Sequence, residues 1–258
     1  MSFAGRASAA LPELDADGDG DMDTDDFWGL TMEGTLGNSL YMAAGYNTVE
    51  EVEGEYHLTL DSQEAVDLVD KCSSLLGDRT KFFNDPDGSG SCVKIFRESR
   101  SLFLDCTVLT VIGLRDMEDD FGIIPTPKYK EDVPYYYTAC NTWLPSGAAV
   151  PVICSDPDRT GLVTETLAAA SVGLLTPAVY DVTLQGKVSR DEASSAMLDL
   201  IYAHTAFDLN TILNFGDTSI LLRRCVLGEA ENYVSSYTKL KKVAEKNLQK
   251  FVAFAKEG

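Results

Sequence analysis

Residues 91–125 decide the fold class, and they read SCVKIFRESRSLFLDCTVLTVIGLRDMEDDFGIIP. Ser91 is a suitable helix N-cap, and Val93 and Phe96 share one face of a helix predicted to run to Arg100. The same stretch predicts a strand over 101–104, a short helix over 107–117 and a strand over 121–125. Because strands that alternate with helices are typical of an α/β fold, we expect that fold class.

The stretches on either side extend this alternation. Residues 27–32 predict a strand, and Asp61 with Glu64 matches a capping box for a helix that stops at Gly77. One apolar stripe with helical spacing supports that helix: Ala65, Val66, Val69, Cys72 and Leu76. Further strands are predicted over 135–142 and 148–154.

The last hundred residues are predicted to be helical. Three helix starts are indicated, at Asp158, at Thr176 before Pro177, and at Ser189 with Glu192. The final helix is predicted over 229–256. One face of it should be apolar: Val234, Tyr237, Leu240, Val243, Ala244, Leu248 and Phe251. We therefore expect a helix-rich C-terminal segment.

An acidic stretch near the N-terminus matches the twelve-residue calcium loop. Residues 15–26 read DADGDGDMDTDD, with Gly20 at the sixth position, where the loop must turn sharply. The predicted ligands are Asp15, Asp17, Asp19, Asp21 through its carbonyl, Asp23 and Asp26. Neither flank resembles an EF-hand helix, so we interpret the loop as a structural Ca²⁺ site. The alternative is a solvated acidic linker.

Charge and composition exclude several classes of partner. The 258 residues carry 41 acidic and 21 basic side chains, a net charge of −20. Nucleic acid is therefore not an expected partner, because phosphate binding needs a basic face, and an anionic membrane surface is disfavoured for the same reason. Neutral small molecules and cations remain open. No apolar run is expected to approach the roughly 18 residues that would span a bilayer.

Two motif groups in fixed order resemble a known family. They are FRESRSLF (residues 96–103) and LRDMEDDFGIIPTPKY (residues 114–129), followed by the tyrosines at 135–137. This order resembles the extracellular solute-binding proteins of bacterial ABC importers, carbohydrate-type family 1. SRDEASSAMLD (residues 189–199) and WGL (residues 28–30) behind the acidic loop are similar to features of a subgroup.

The resemblance implies a periplasmic-binding-protein-like type II second lobe with a helix-rich C-terminal segment and with most of the first lobe missing. The ranges it implies are a linker over 1–12, the calcium loop over 13–26, the α/β lobe over 27–175 and a helical segment over 176–258. It further implies a sugar or oligosaccharide ligand, a membrane permease as partner, and a full-length protein anchored at the extracellular cell surface.

Candidate ligand contacts follow from the resemblance by position. They are Glu33, Asn38, Asp105, Thr107 and Trp143. Asp105 and Thr107 have an alternative role as caps of the next helix, and Trp143 is either a sugar-stacking platform or an ordinary aromatic residue. Since half a cleft leaves a sugar solvated on one side, we expect weak binding by this chain, and self-association through the face left by the missing lobe.

Catalysis is not expected from the sequence. It contains no nucleophile elbow, phosphate loop or dinucleotide fingerprint, and its six cysteines and two histidines lack the spacing of a zinc site. The alternatives to a transport component are a calcium-stabilised carbohydrate-active enzyme and a surface binding module. A carboxylate pair, as in glycosidases, is defined by separation in space and is not excluded by counting residues.

Overall fold

The computed structural model describes residues 14–140, 149–180 and 191–257. Within these ranges the chain is mixed α/β. Its strands are β1 (Trp28–Glu33), β2 (Val49–Val52), β3 (Glu55–Leu58), β4 (Phe82–Asp85), β5 (Ser101–Asp105), β6 (Thr138–Ala139) and β7 (Thr205–Ala206). Its α-helices are α1 (Ser39–Ala43), α2 (Gln63–Leu76), α3 (Ser91–Arg97), α4 (Val108–Ile112), α5 (Pro157–Pro177), α6 (Glu192–Ala203), α7 (Leu209–Leu213), α8 (Thr218–Val226) and α9 (Tyr233–Glu257).

The central sheet has three parallel strands in the order β4-β1-β5. Leu30 of β1 lies opposite Phe82 on one side and Phe103 on the other. Both faces of β1 carry buried side chains, with Trp28 and Met32 on one face and Thr31 on the other. A strand covered on both faces is typical of parallel sheets packed between helices. The predicted α/β class is confirmed.

The predicted strand over 121–125 is absent from this sheet. Residues 121–128 contain no strand. Pro125 and Pro127 lack the backbone N–H that a sheet neighbour needs, so this segment is a poor partner for β5. The predicted strand over 135–142 shrinks to β6, which pairs with β7. The part of the 148–154 prediction that the structure describes, 149–154, contains no strand, and 141–148 lies outside the described residues.

Helices α2, α8 and α9 form the main core against the sheet. Their most buried side chains include Leu68, Leu222 and Tyr237, each at most 2% exposed. Helix α2 ends near Gly77 as predicted, but its N-cap is Ser62, whose Oγ accepts from the Ala65 N–H at 3.1 Å. This core joins residues from both predicted ranges, 27–175 and 176–258, because α8 and α9 complete the core that β1 begins.

The final helix buries a narrower face than its pattern predicts. Tyr237, Ala244 and Leu248 are buried, whereas Val234 and Val243 are 55% and 53% exposed. The buried residues of α9 face α8 and β3. Ala244 and Leu248 form a second cluster with Leu58 of β3 and with Phe215, which lies between α7 and α8. Contact with two neighbouring elements, and not apolarity alone, therefore decides which valines are covered.

Helix α5 is a long apolar helix whose apolar window has no buried residue. It begins behind Asp156, which accepts from the Arg159 N–H at 2.9 Å, two residues before the predicted cap. The predicted helix start at Thr176 is wrong, since α5 continues through Pro177. The expectation that no apolar stretch approaches membrane-spanning length is wrong for Pro157–Tyr180, which is long and apolar enough by length and composition alone. Core helices of soluble proteins pass the same test, but none of this apolar window is buried.

Candidate functional site

The acidic loop closes on itself through carboxylate–backbone hydrogen bonds. Asp15 accepts from the N–H of Gly18 at 2.7 Å and of Gly20 at 3.1 Å. Asp17 accepts from the N–H of Asp19 at 3.1 Å. Gly20 has φ +87°, a left-handed conformation that glycine adopts without strain, so the sharp turn falls where the motif requires it.

Three of the six predicted metal ligands lie together. One carboxylate oxygen from each of Asp15, Asp17 and Asp19 lies within 4.8 Å of the others, and all three side chains are exposed. The Asp19 N–H lowers the pKa of the Asp17 carboxyl, but partial dehydration and the charges of neighbouring aspartates outweigh it, and the pKa is raised overall. A hard cation with oxygen ligands would relieve that repulsion.

The other predicted ligands have different partners. The Asp26 side chain is buried and accepts from the N–H of Ala16 and of Asp23, each at 2.7 Å. The Asp23 carboxylate accepts from the Asp25 N–H at 2.7 Å. Asp21 is exposed. The Asp26 side chain therefore holds the loop closed by accepting from two of its backbone N–H groups, and it does not join the triplet of Asp15, Asp17 and Asp19.

The loop is attached to the amino-terminal ends of β1 and β5. Trp28 at the start of β1 donates its indole N–H to the Asp23 carbonyl at 2.9 Å. Arg100, just before β5, donates to the carbonyls of Thr24 and Asp26. Trp28 is 2% exposed and is therefore a buried aromatic residue of the core. A cation bound in the loop would thus stabilise the residues at which β1 and β5 begin.

A cavity of about 420 Å³ lies at the opposite, carboxyl-terminal end of β1 and β5. One wall is the sheet face that carries Leu30, Met32 and Phe103, and the others are α2 and residues 124–129. Its polar lining is Lys71, Cys72, Asp105, Cys106, Thr126, Lys128 and Tyr129. Ligands of open α/β sheets bind outside the carboxyl ends of the strands, which is where this cavity lies.

Asp105 is the last residue of β5 and lines this cavity. Burial, and secondarily the charge of Glu33, raises the pKa of its carboxyl to about 7. Among the described residues, none donates a hydrogen bond or an ion pair to this carboxyl. Asp105 is partly exposed and lines the cavity, so a ligand can reach its carboxyl, and a carboxyl with a raised pKa in a cleft is a candidate functional group.

Glu33 is the last residue of β1, so it lies at the same carboxyl-terminal end of the strands as Asp105 but on the other face of the sheet. Met32 lies opposite Asp105, so their side chains share one face and Glu33 points away from it. The Glu33 carboxylate accepts from the Thr35 hydroxyl at 2.6 Å. Of the predicted ligand contacts, Asp105 lines the cavity, whereas Glu33 influences it through its charge.

The remaining predicted contacts lie elsewhere. Asn38 is buried, and its amide donates to the Ser219 hydroxyl at 2.8 Å, which connects it to α8. Thr107 immediately precedes α4, and its hydroxyl lies 3.0 Å from that of Thr110 without capping a backbone N–H. Trp143 lies outside the described residues.

Sequence reasoning missed the α2 and 124–129 walls of the cavity. Cys72 belongs to an apolar stripe that predicts core packing, so nothing local indicates that it borders a cavity. Burial raises the pKa of the Cys72 thiol to about 11, and burial with the Asp105 charge raises that of Cys106 to about 12. Both thiols are therefore un-ionised near neutral pH, and all six cysteines are free.

A scan against protein-family models and searches of curated proteins and of solved structures found no match to this chain.

Proposed function

We propose that this chain is the solute-binding component of a bacterial ABC importer, consisting mainly of the second lobe, with a carbohydrate as ligand. The supporting observation is the cavity of about 420 Å³ at the carboxyl ends of β1 and β5, into which Asp105 projects. The motif order over 96–137 supports the same assignment by resemblance. In this proposal the full-length protein is anchored at the extracellular surface and delivers its solute to a membrane permease.

The lining of the cavity suits a sugar. Phe103, Ile124 and Pro125 provide apolar surface for the carbon face of a pyranose ring. The Asp105 carboxyl provides a hydrogen-bonding group for the polar rim. Because only one lobe encloses the ligand, we expect dissociation constants in the millimolar range, on the order of −4 kcal/mol of binding free energy.

Saturation-transfer-difference NMR detects binding of this strength. We expect neutral sugars such as glucose and cellobiose to give saturation-transfer signals that Asp105→Ala abolishes. Asp70→Ala is the matched control, because Asp70 is exposed on α2 and does not line the cavity. Equal signals from both variants would place sugar binding elsewhere. Release of shortened oligosaccharides during incubation would favour the carbohydrate-active enzyme.

We further propose that the acidic loop binds Ca²⁺ as a structural ion. Asp15, Asp17 and Asp19 would hold it, since their carboxylates already lie together and an oxygen-only donor set suits a hard cation. The loop contains seven aspartates in twelve positions, and a divalent ion offsets their repulsion. Such an ion would stabilise the attachment of the loop to Trp28 and Arg100.

Thermal unfolding of metal-free chain tests this assignment. Free Ca²⁺ at 100 times its dissociation constant should stabilise the folded chain by about 2.7 kcal/mol, and EGTA should reverse this. Asp19→Ala should remove the response. Asp25→Ala is the matched control, because it removes an equal charge at a position the motif does not use as a ligand. Melting curves that ignore both Ca²⁺ and EGTA would support the acidic linker instead.

A further inference from the structure

The Asp105 carboxyl is a polar group of the cavity that a ligand can reach. It lies in a mainly apolar cavity, and no described residue donates to it. By contrast, the buried Asp208 accepts from Thr48 and Thr211, whereas Asp105 is partly exposed and open to a ligand. A ligand group is therefore the natural partner for Asp105.

The charges around Asp105 favour a cationic partner. Glu33 adds negative charge from the opposite face of the same sheet edge. Neither lysine of the cavity forms an ion pair with Asp105: the Lys128 ammonium donates to the Val133 carbonyl at 2.7 Å and lies 4.6 Å from the Tyr136 ring centre, and Lys71 is exposed. The chain as a whole carries −20, which attracts cations to it.

We infer that the solute of this cavity carries a protonated amino group that pairs with Asp105, so that the ligand is an amino sugar rather than a neutral one. This inference rests on the proposed function, because it specifies the solute of that site. A protonated amine makes a charge-assisted hydrogen bond, roughly twice as strong as the bond from a sugar hydroxyl. The apolar wall of Phe103 and Ile124 is left for the carbon face of the ring.

The test compares sugars that differ only in this group, using the full chain at pH 7.0. The pairs are glucosamine with glucose, and N-deacetylated chitobiose with cellobiose, titrated by saturation-transfer-difference NMR. We expect the amino member of each pair to bind about five- to tenfold more tightly, as the difference between a charge-assisted and a neutral hydrogen bond implies. Asp105→Asn should remove this preference, and Asp70→Asn should retain it.

The outcomes separate the two claims. Equal affinity within each pair, with signals that depend on Asp105, would overturn the amino-group inference and leave the proposed carbohydrate site intact. A preference that persists in Asp105→Asn would also overturn the inference, since the amine would then bind elsewhere. Failure of all four sugars to bind would overturn both. Circular dichroism of each variant checks that the fold is unchanged.

Discussion

Helices α5 and α8 both contain leucines on their surfaces, but these leucines lie in opposite surroundings. Leu222 of α8 is fully buried against the sheet and α2, whereas Leu167 and Leu174 of α5 are 67% and 71% exposed. Both helices contain enough apolar residues to be core helices. An apolar composition favours burial of a helix, but burial also requires a neighbouring element with a complementary apolar surface.

A pair of leucine truncations tests this contrast most directly. Leu222→Ala should reduce the free energy of unfolding by about 2–5 kcal/mol, because it leaves a cavity in the core. Leu167→Ala in α5 should change it by less than about 0.5 kcal/mol. Urea denaturation followed by circular dichroism measures both. Similar losses in the two variants would mean that α5 is buried in solution.

The N-terminal caps of α5 and of α7, which precedes α8, differ in the same way. Asp208 is buried before α7 and accepts from the N–H and hydroxyl of Thr48 as well as from Thr211, so it fixes the β2–β3 hairpin to the helical segment. Asp208→Ala strands a buried N–H and should cost roughly 2–4 kcal/mol. Asp156→Ala removes the exposed cap of α5 and should cost about 0.5–1 kcal/mol. Equal urea midpoints for the two variants would contradict this ranking.

Asp105 gives the core region a pH-dependent stability. Its carboxyl has a pKa of about 7 in the folded chain, so the folded chain retains a proton that the unfolded chain loses near pH 4. The free energy of unfolding should therefore fall by roughly 1–3 kcal/mol as pH rises from 4 to 7, relative to Asp105→Asn. Asp158→Asn, at the exposed start of α5, controls for the loss of one charge. Parallel stability curves for wild type and Asp105→Asn would contradict the raised pKa.

The smallest effect on stability, and the clearest on assembly, is expected from charges placed on α5. Leu167 and Leu174 are seven residues apart and share one exposed face. We expect wild-type chain to self-associate through such apolar surface, and Leu167→Glu with Leu174→Glu to sediment as a monomer with an unfolding free energy within about 0.5 kcal/mol of wild type.

Sedimentation velocity distinguishes this from a general effect of charge. Ser235→Glu with Lys242→Glu adds at least as much negative charge to the exposed side of α9 and should leave association unchanged. A wild-type chain that is monomeric at all concentrations would show that α5 tolerates exposure in solution.

Local sequence predicted the elements that depend on neighbouring residues. The stripe over 65–76 predicted α2, and residues 27–32 and 101–104 predicted β1 and β5. Gly20 was assigned to a turn, and it has the positive φ that the turn needs. The predicted strand over 121–125 does not form. β-propensity alone does not place a segment beside a sheet, and prolines lack the N–H donors that strand pairing requires.

The sequence by itself determined the α/β class, the acidic loop and the position of Asp105 at the end of a strand, since each depends on residues close together along the chain. Only the tertiary structure decided that Asp105 and Glu33 lie on opposite faces of one sheet edge. It also decided that α2 and residues 124–129 line a cavity beside Asp105, and that no residue in the apolar window of α5 is buried. The physical reason is that strand order and the covering of a face arise from contacts between residues distant in sequence, which local periodicity does not encode.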